Sequence, residues 1–334
     1  MMEAPDALRV ALSALAEEYP SGALAYAAAS LSETYRAGAD ITTLDAIHSP
    51  IAAAAYALTR LPATYAALAA ALSAARQRLP DWRPMSLLDA GAGPGVAVWA
   101  ASAVWPSLAH ATLLERDQRM MTVGQRLLRE APADCAVIWR QTDLTDDQKP
   151  LATTPFDLCV SSYALNELPH AARLTLVARL WEACGGALAL VAPGTPAGFA
   201  AIREARAWLI GAGASIVAPC PHADICPMQP GDWCHFSQRL ARSRLHRQLK
   251  GGDAPYEDEK YSYVVATRMP GDPIAARVIR HPVVHSGYIT MELCAPGGLK
   301  RAEVTRSDRD AWRAARDTRW GSPLARLPTK TRDL

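Results

Sequence analysis

The run Ser86-Leu-Leu-Asp89-Ala-Gly91-Ala-Gly93-Pro-Gly95, leading straight into VAVWAASAVW, restricts this chain more than any other stretch. A short apolar strand passes through a turn with three glycines in five residues and into an apolar helix. Glycine reaches left-handed backbone conformations without steric cost, and its missing Cβ lets a ligand approach the main chain. A strand, a glycine turn and a helix in that order open a doubly wound sheet. The following segments keep the alternation: ATLLERD as a strand, MMTVGQRLLREA as a helix, CAVIWRQTDL and PFDLCVSSYALNEL as strands, HAARLTLVARLWEAC as a helix, GGALALVAPG as a strand. Residues 85–194 therefore predict an α/β core with a parallel sheet. The spacing is GxGxG rather than GxGxxG, and no Gly-Lys-Ser/Thr follows, so neither a dinucleotide fingerprint nor a P-loop is present.

The loop resembles motif I of class I S-adenosylmethionine-dependent methyltransferases. The cofactor set expected from that resemblance is Asp89, Gly91, Gly93 and Gly95 in the loop, with Glu115, Asp143 and Ser161 at the ends of the next three strands. Glu115 stands where a carboxylate accepts ribose hydroxyl protons, and Asp143 where such enzymes contact the adenine amino group. The fourth strand end, Ser161-Ser162-Tyr163-Ala-Leu-Asn166-Glu167-Leu168, is neither the Asn/Asp-Pro-Pro-Tyr loop of amino-group methylating enzymes nor the Pro-Cys arrangement of cytosine-C5 enzymes. Asn166 and Glu167 are candidates for the substrate mouth, or simply a turn cap and a helix start. No general base or nucleophile stands out, so the catalytic residues are left unassigned.

The flanks differ in kind. Residues 1–80 are Ala-rich, with Leu8, Leu12 and Leu15, and then Tyr65, Leu68 and Leu72, at helical spacing. Pro20, Pro50, Pro62 and Pro80 are expected to punctuate this region into helices that pack rather than catalyse. Three segments follow from this reading: a helical region 1–80, a cofactor-binding core 81–211, and a cysteine-rich, basic module 212–334. The last contains an irregular cysteine stretch, a basic run to Lys250, an acidic turn YEDEK at 256–260, a strand YSYVVATR, a small antiparallel element from ITMELC and LKRAEVTR, and a helix in DAWRAARDTRW. The fold class expected is α/β, a methyltransferase-like doubly wound sheet with a helical N-terminal region and a small metal-binding β module.

Half of the 334 residues are apolar and 20% are charged, which excludes disordered, collagen-like and disulfide-scaffold classes. The net charge of +2 hides an asymmetry: residues 235–334 carry 19 bases and 11 acids, while the first 234 carry 16 and 22. A basic final third predicts a polyanion partner. Arg239, Arg242, Arg244, Arg247 and Lys250 are the candidate phosphate contacts, with Arg313, Arg316 and Arg319 beside Trp312 and Trp320 further on. The competing reading pairs these arginines internally with YEDEK. Apolar runs such as IAAAAYAL at 51–58 are too short to span a bilayer, and the acidic start lacks the basic region of a signal peptide. A cytoplasmic protein without membrane contact is expected, its cysteines reduced or metal-bound.

Cys220, Cys226 and Cys234 form C-x5-C-x7-C, the first two each followed by proline. Three cysteines within fifteen residues of polar loop point to metal, whereas Cys135, Cys159 and Cys184 sit in apolar contexts and read as core. Cys294, before a turn with Pro and Gly, is the candidate fourth ligand. The spacing fits zinc knuckles poorly and all-cysteine ligation suits an iron–sulfur cluster, but zinc with His222 or His235 stays open.

Taken together, LLDAGAGPG, SSYALNELP, CPHADICPMQPGDWCHFSQRLARSRLHRQLKGG and PYEDEKYSYVV resemble the methyltransferase-like family of mitochondrial small-ribosomal-subunit assembly factors and its bacterial relatives. The likeness covers about residues 30–320. It implies a partner in small-subunit ribosomal RNA, an S-adenosylmethionine pocket, and a 4Fe–4S cluster on Cys220, Cys226, Cys234 and Cys294. A monomer away from the ribosome is expected.

Overall fold

The computed structural model describes residues 3–36, 47–131 and 135–334. Two helices, α1 (Asp6–Glu17) and α2 (Ser21–Arg36), precede a long third, α3 (Pro50–Arg76). Ser49 caps α3 by accepting from the Ala52 amide at 3.2 Å, and Pro50 takes the first helical position, where no amide hydrogen is needed. The expected break at Pro62 does not occur. Pro62 lies inside the 27-residue helix. An interior proline costs about 3 kcal/mol. Eighteen residues of α3 are buried, because it is apolar nearly all round and is wedged between α1, α2 and the sheet. Burial on every side outweighs one missing hydrogen bond.

The sheet is built from β1 (Ser86–Ala90), β2 (His110–Glu115), β3 (Ala136–Gln141), β4 (Phe156–Ser162), β5 (Cys184–Pro193), β6 (Ser215–Ala218), β7 (Phe236–Ala241) and β8 (Tyr256–Thr267). Between them lie α4 (Val96–Val104), α5 (Gln118–Leu127), α6 (His170–Glu182), α7 (Pro196–Gly211) and α8 (Arg244–Lys250). The strand order is β3-β2-β1-β4-β5-β8-β6. The first five are parallel, and β8 runs antiparallel to both β5 and β6. This is the doubly wound, class I methyltransferase-type α/β fold that the glycine loop predicts. The order reverses between β1 and β4, so a crevice opens at their carboxyl ends, the usual ligand position in such sheets. Leu8, Leu15, Leu68 and Leu72 of the N-terminal helices share one core with Val98 and Trp99 of α4 and Val160 of β4.

YEDEK is not a turn. Tyr256–Lys260 is the first half of β8 and pairs antiparallel with β7, Tyr256 opposite Ala241 and Lys260 opposite Ser237. Charges on both faces hide the period of two that would mark a strand. The basic run likewise resolves into β7 and α8. Beyond it, β9 (Ala276–Val278), β10 (Val283–Val284), β11 (Tyr288–Ala295), β12 (Gly298–Thr305), β13 (Pro323–Leu324) and β14 (Lys330–Asp333) form a second, antiparallel sheet. Helix α9 (Arg309–Asp317) packs on it through Ala315 and Trp312, against Ile289, Leu293 and Val304. Among the described residues, no helix is long and apolar enough to cross a membrane.

Candidate functional site

A cavity of about 290 Å³ opens at the switch point, lined by Gly91, Gly93, Glu115, Asp143 and Tyr163 among others. Gly91 and Gly93 have φ of 75° and 52°, the left-handed region that glycine occupies freely. A Cβ at Gly91 would meet the Ala164 Cβ at 2.4 Å, so that turn presses directly on the loop after β4. Glu115 is bound into the turn: one oxygen accepts from the Gly93 amide at 2.7 Å, the other from the Arg116 and Asp117 amides at 2.8 Å each. Burial pushes its carboxyl up, and those three amides pull the other way. Asp143 accepts from the Thr145 amide at 2.9 Å and the Thr145 hydroxyl at 2.7 Å, which with Arg116 nearby hold it below the usual carboxylate range.

Three of the expected cofactor residues lie off the cavity wall. Asp89 is 1% exposed, its two carboxylate oxygens without a hydrogen-bond partner, and burial followed by the charge of Glu115 pushes its pKa up to about 8. Ser161 is buried and donates to the Ala90 carbonyl at 3.0 Å, tying β4 to β1. Gly95 ends the turn in the left-handed region at the start of α4, where a Cβ would come within 2.9 Å of Leu128. These three shape the floor. Glu167 lines the cavity, whereas Asn166 does not.

Ser162 and Tyr163, part of the strand-four motif but not among the expected cofactor residues, also line the cavity. Ser162 faces the cavity with an unpartnered hydroxyl. Tyr163 has φ of 63°, unusual for a non-glycine residue. Its hydroxyl donates to Glu259 Oε1 at 2.8 Å, and Arg60 Nη2 reaches the same oxygen at 3.5 Å. Burial, then the charge of Glu259, raises the phenol well above its ordinary value. The trio joins α3, the loop after β4, and β8, so no local spacing reveals it.

The four expected metal ligands come together elsewhere. Cys220, Cys226 and Cys234 lie in the connection between β6 and β7, and Cys294 near the end of β11. All four line one cavity of about 40 Å³ with His222, Phe199 and Arg206. Cys294 Sγ lies 3.4 Å from His222 Nε2, and His222 Nδ1 lies 3.4 Å from Asp224. Burial, then the neighbouring thiols, raises Cys234 well above the ordinary thiol range and pushes Cys294 up to about 12. Such a set ionises together only around a cation. Among the described residues, no three His, Cys, Asp or Glu side chains are arranged to hold a single metal ion. His235 does not belong to the cavity. Its ring stacks on Trp233 at 5.3 Å and meets Trp320 edge-on at 4.9 Å. Cys159 and Cys184 are buried in β4 and at the start of β5.

The basic run is largely paired within the protein. Arg239 forms a two-pronged pair with Asp258 at 2.7 Å and lies 4.0 Å over the Tyr256 ring. Arg242 and Lys250 share Glu257 at 2.7 and 2.8 Å. Arg247 donates to the Arg242 carbonyl at 3.3 Å. Arg244 is exposed and has no ion pair among the described residues. The internal pairing with YEDEK is therefore what the structure contains.

Residues 50–325, spanning the glycine turn, both strand-end carboxylates and all four clustered cysteines, match the family described as mitochondrial small ribosomal subunit Rsm22. The chain belongs to the Rsm22 family. Human METTL17, a mitochondrial ribosome assembly protein, is 31% identical over 295 residues, 80% of this chain and 61% of METTL17. A mitochondrial Rsm22-cox11 tandem protein of Schizosaccharomyces pombe is 25% identical over 324 residues, 80% of this chain and 42% of the tandem protein. This Rsm22-family chain thus spans less than two thirds of either relative. The expected cytoplasmic location is overturned by these relatives, whose names place them in mitochondria. Among solved structures, an O-methyltransferase family protein of Burkholderia thailandensis covers 67% of this chain and 62% of its own, at 13% identity and a TM-score of 0.43. That likeness is too loose to transfer a ligand or an activity.

Proposed function

We propose that this chain is a small-ribosomal-subunit assembly factor that binds S-adenosylmethionine in the glycine-turn cavity, carries a four-cysteine iron–sulfur cluster, and acts on small-subunit ribosomal RNA. The observation that carries the reading is the family match over 50–325, which takes in both cavities at once. The residues fit the cofactor. Gly91 and Gly93 leave the backbone open to it, and the one lone pair of Glu115 not engaged by amides suits a ribose hydroxyl. Asp143 stays ionised beside the cavity to accept from an amino group. S-adenosylmethionine supplies an electrophilic methyl group. The chain's part is to hold it at the switch point and to admit a nucleotide past Ser162 and Tyr163. Four cysteines lining one cavity fit an all-cysteine iron–sulfur centre; His222 beside Cys294 keeps a zinc site as the competing outcome.

A second reading, an assembly factor that binds RNA without methylating it, has a specific observation in its favour. Glu115 and Asp143 are engaged by backbone and Thr145, and the Tyr163 hydroxyl by Glu259, so none of these is set to take a proton from a substrate. Mapping modified nucleotides on small-subunit RNA, with and without the protein, separates the two. A methyl mark lost with the protein supports transfer. An unchanged map with accumulating immature subunits supports the binding factor. Calorimetry with the well-folded, cluster-loaded chain showing no uptake of S-adenosylmethionine overturns the cofactor assignment for both.

A further inference from the structure

Two arginines beside the cysteine cavity are buried without any carboxylate to pair with. Arg206 of α7 is 5% exposed and Arg277 of β9 is 1% exposed, and neither forms an ion pair among the described residues. Both are held by main-chain carbonyls of the cysteine segment. Arg206 donates to His222 O at 2.8 Å, while Arg277 donates to Pro219 O at 2.8 Å and to Gly321 O at 2.9 Å. Each keeps a buried N–H without a partner, Nε of Arg206 and Nη2 of Arg277. Their positions are specific. Arg206 lines the cavity with the four cysteines, and Arg277 lies directly opposite Cys294 in the β9–β11 ladder. A third guanidinium, Arg78, donates to the carbonyls of Ile216, Val217 and Cys220 and differs in having the Asp272 carboxylate near enough to favour its charge, though burial and Arg277 act against it more strongly.

A buried charge with no counter-charge is strongly unfavourable. Two of them flanking the same small cavity call for an anion there, and the side chains present can supply one. Four thiolates on a 4Fe–4S core of charge +2, or on one Zn²⁺, make a centre of net charge −2. Two guanidiniums neutralise it.

We propose that Arg206 and Arg277 are the counter-ions of a dianionic four-thiolate metal centre, retaining the metal and raising its reduction potential. The inference rests on the metal reading above. A guanidinium suits the task because one edge of its fork holds the carbonyls while another N–H points elsewhere. Reducing an iron–sulfur centre adds a further negative charge. Nearby cations therefore favour the reduced form, and removing one shifts the potential to more negative values.

The test uses the full chain, reconstituted without oxygen with iron and sulfide, as wild type, Arg206→Met, Arg277→Met and Arg277→Lys. Iron content, midpoint potential and the rate of iron loss to a chelator are read for each. Both Met variants should show a more negative potential and lose iron about tenfold faster, the usual scale for a residue supporting a metal ligand. Arg277→Lys, which keeps the charge, should stay near wild type in potential. A role in packing alone would lower thermal stability without moving the potential. Wild type that loads a cluster while both Met variants keep its potential and chelation rate overturns the counter-ion role and leaves the cluster standing. Wild type that takes up one zinc instead removes the iron reading, and the same chelation comparison then decides the counter-ion role on zinc. Wild type that holds neither metal sinks both. Should Arg277→Met fail to fold, Arg206→Met against wild type carries the comparison.

Discussion

Asp89 shows how far one residue can sit from the role its motif suggests. It occupies the acidic position of the glycine motif, yet its carboxyl is sealed beneath the cavity with no donor to receive. Its native pKa of about 8 stands far above the ordinary 3.8. Between those values the folded chain holds a proton that the unfolded chain has shed, so stability falls as pH rises from about 4 to about 8. The neutral isostere Asp89→Asn escapes this. Its melting temperature relative to wild type should improve steadily from pH 5 to pH 8; a constant gap across that range would contradict the buried proton. Gly91 makes the complementary case. A methyl group there collides with Ala164 and strains a left-handed residue. Gly91→Ala should weaken S-adenosylmethionine binding by roughly tenfold or more in calorimetry, since the methyl must displace a cavity wall by about 1 Å. The residue-level pattern made Gly91, Gly93, Glu115 and Asp143 legible because strand ends and glycine turns have local spacing. The setting of Tyr163 was not, because its partners Glu259 on β8 and Arg60 on α3 lie outside any one window of sequence.

Elements were legible where burial is one-sided and obscure where it is not. Helix α5 has a clean amphipathic stripe and was readable from MMTVGQRLL. At its Gly124 the indole of Trp139 on β3 fills the space where a side chain would begin, a Cβ there meeting ring carbon at 2.4 Å. Gly124→Ala should therefore destabilise by about 1–3 kcal/mol, as overpacking does, despite alanine's better helix propensity. Chemical denaturation measures it, and a neutral or stabilising result would show that Trp139 can swing aside. Helix α3 and the first half of β8 depart from the expected pattern for opposite reasons. The first is apolar on all faces, so proline seemed the only punctuation. The second is charged on all faces, so nothing marked a strand. In both cases the deciding partner, the sheet for one and the preceding strand β7 for the other, lies outside the segment itself.

At the scale of the whole molecule the charge asymmetry survives but its location changes. Arg239, Arg242 and Lys250 are matched by Asp258 and Glu257, so they add little to the outward field. Arg244 is exposed and, unlike the exposed Arg239, has no ion pair among the described residues. If ribosomal RNA binds across this face, Arg244→Gln should weaken binding and reduce the salt dependence by about one unit of slope. Arg242→Gln should chiefly lower stability, because it leaves Glu257 less well matched. Filter binding at several salt concentrations, with melting curves, separates the two; equal slopes for wild type and Arg244→Gln would exclude this run as the contact. One strand ties the distant parts together. On β8, Glu259 holds Tyr163 at the glycine-turn cavity, Ser262 donates to the Cys234 carbonyl at 2.8 Å, and Tyr263 lines the cysteine cavity. From Glu259 to Tyr263 is four residues, roughly 13 Å of strand. That strand behaves as a ruler with both chambers marked on it. A slip of one residue turns every side chain to the opposite face, so it would undo both marks in a single step, and neither chamber can drift in register without the other.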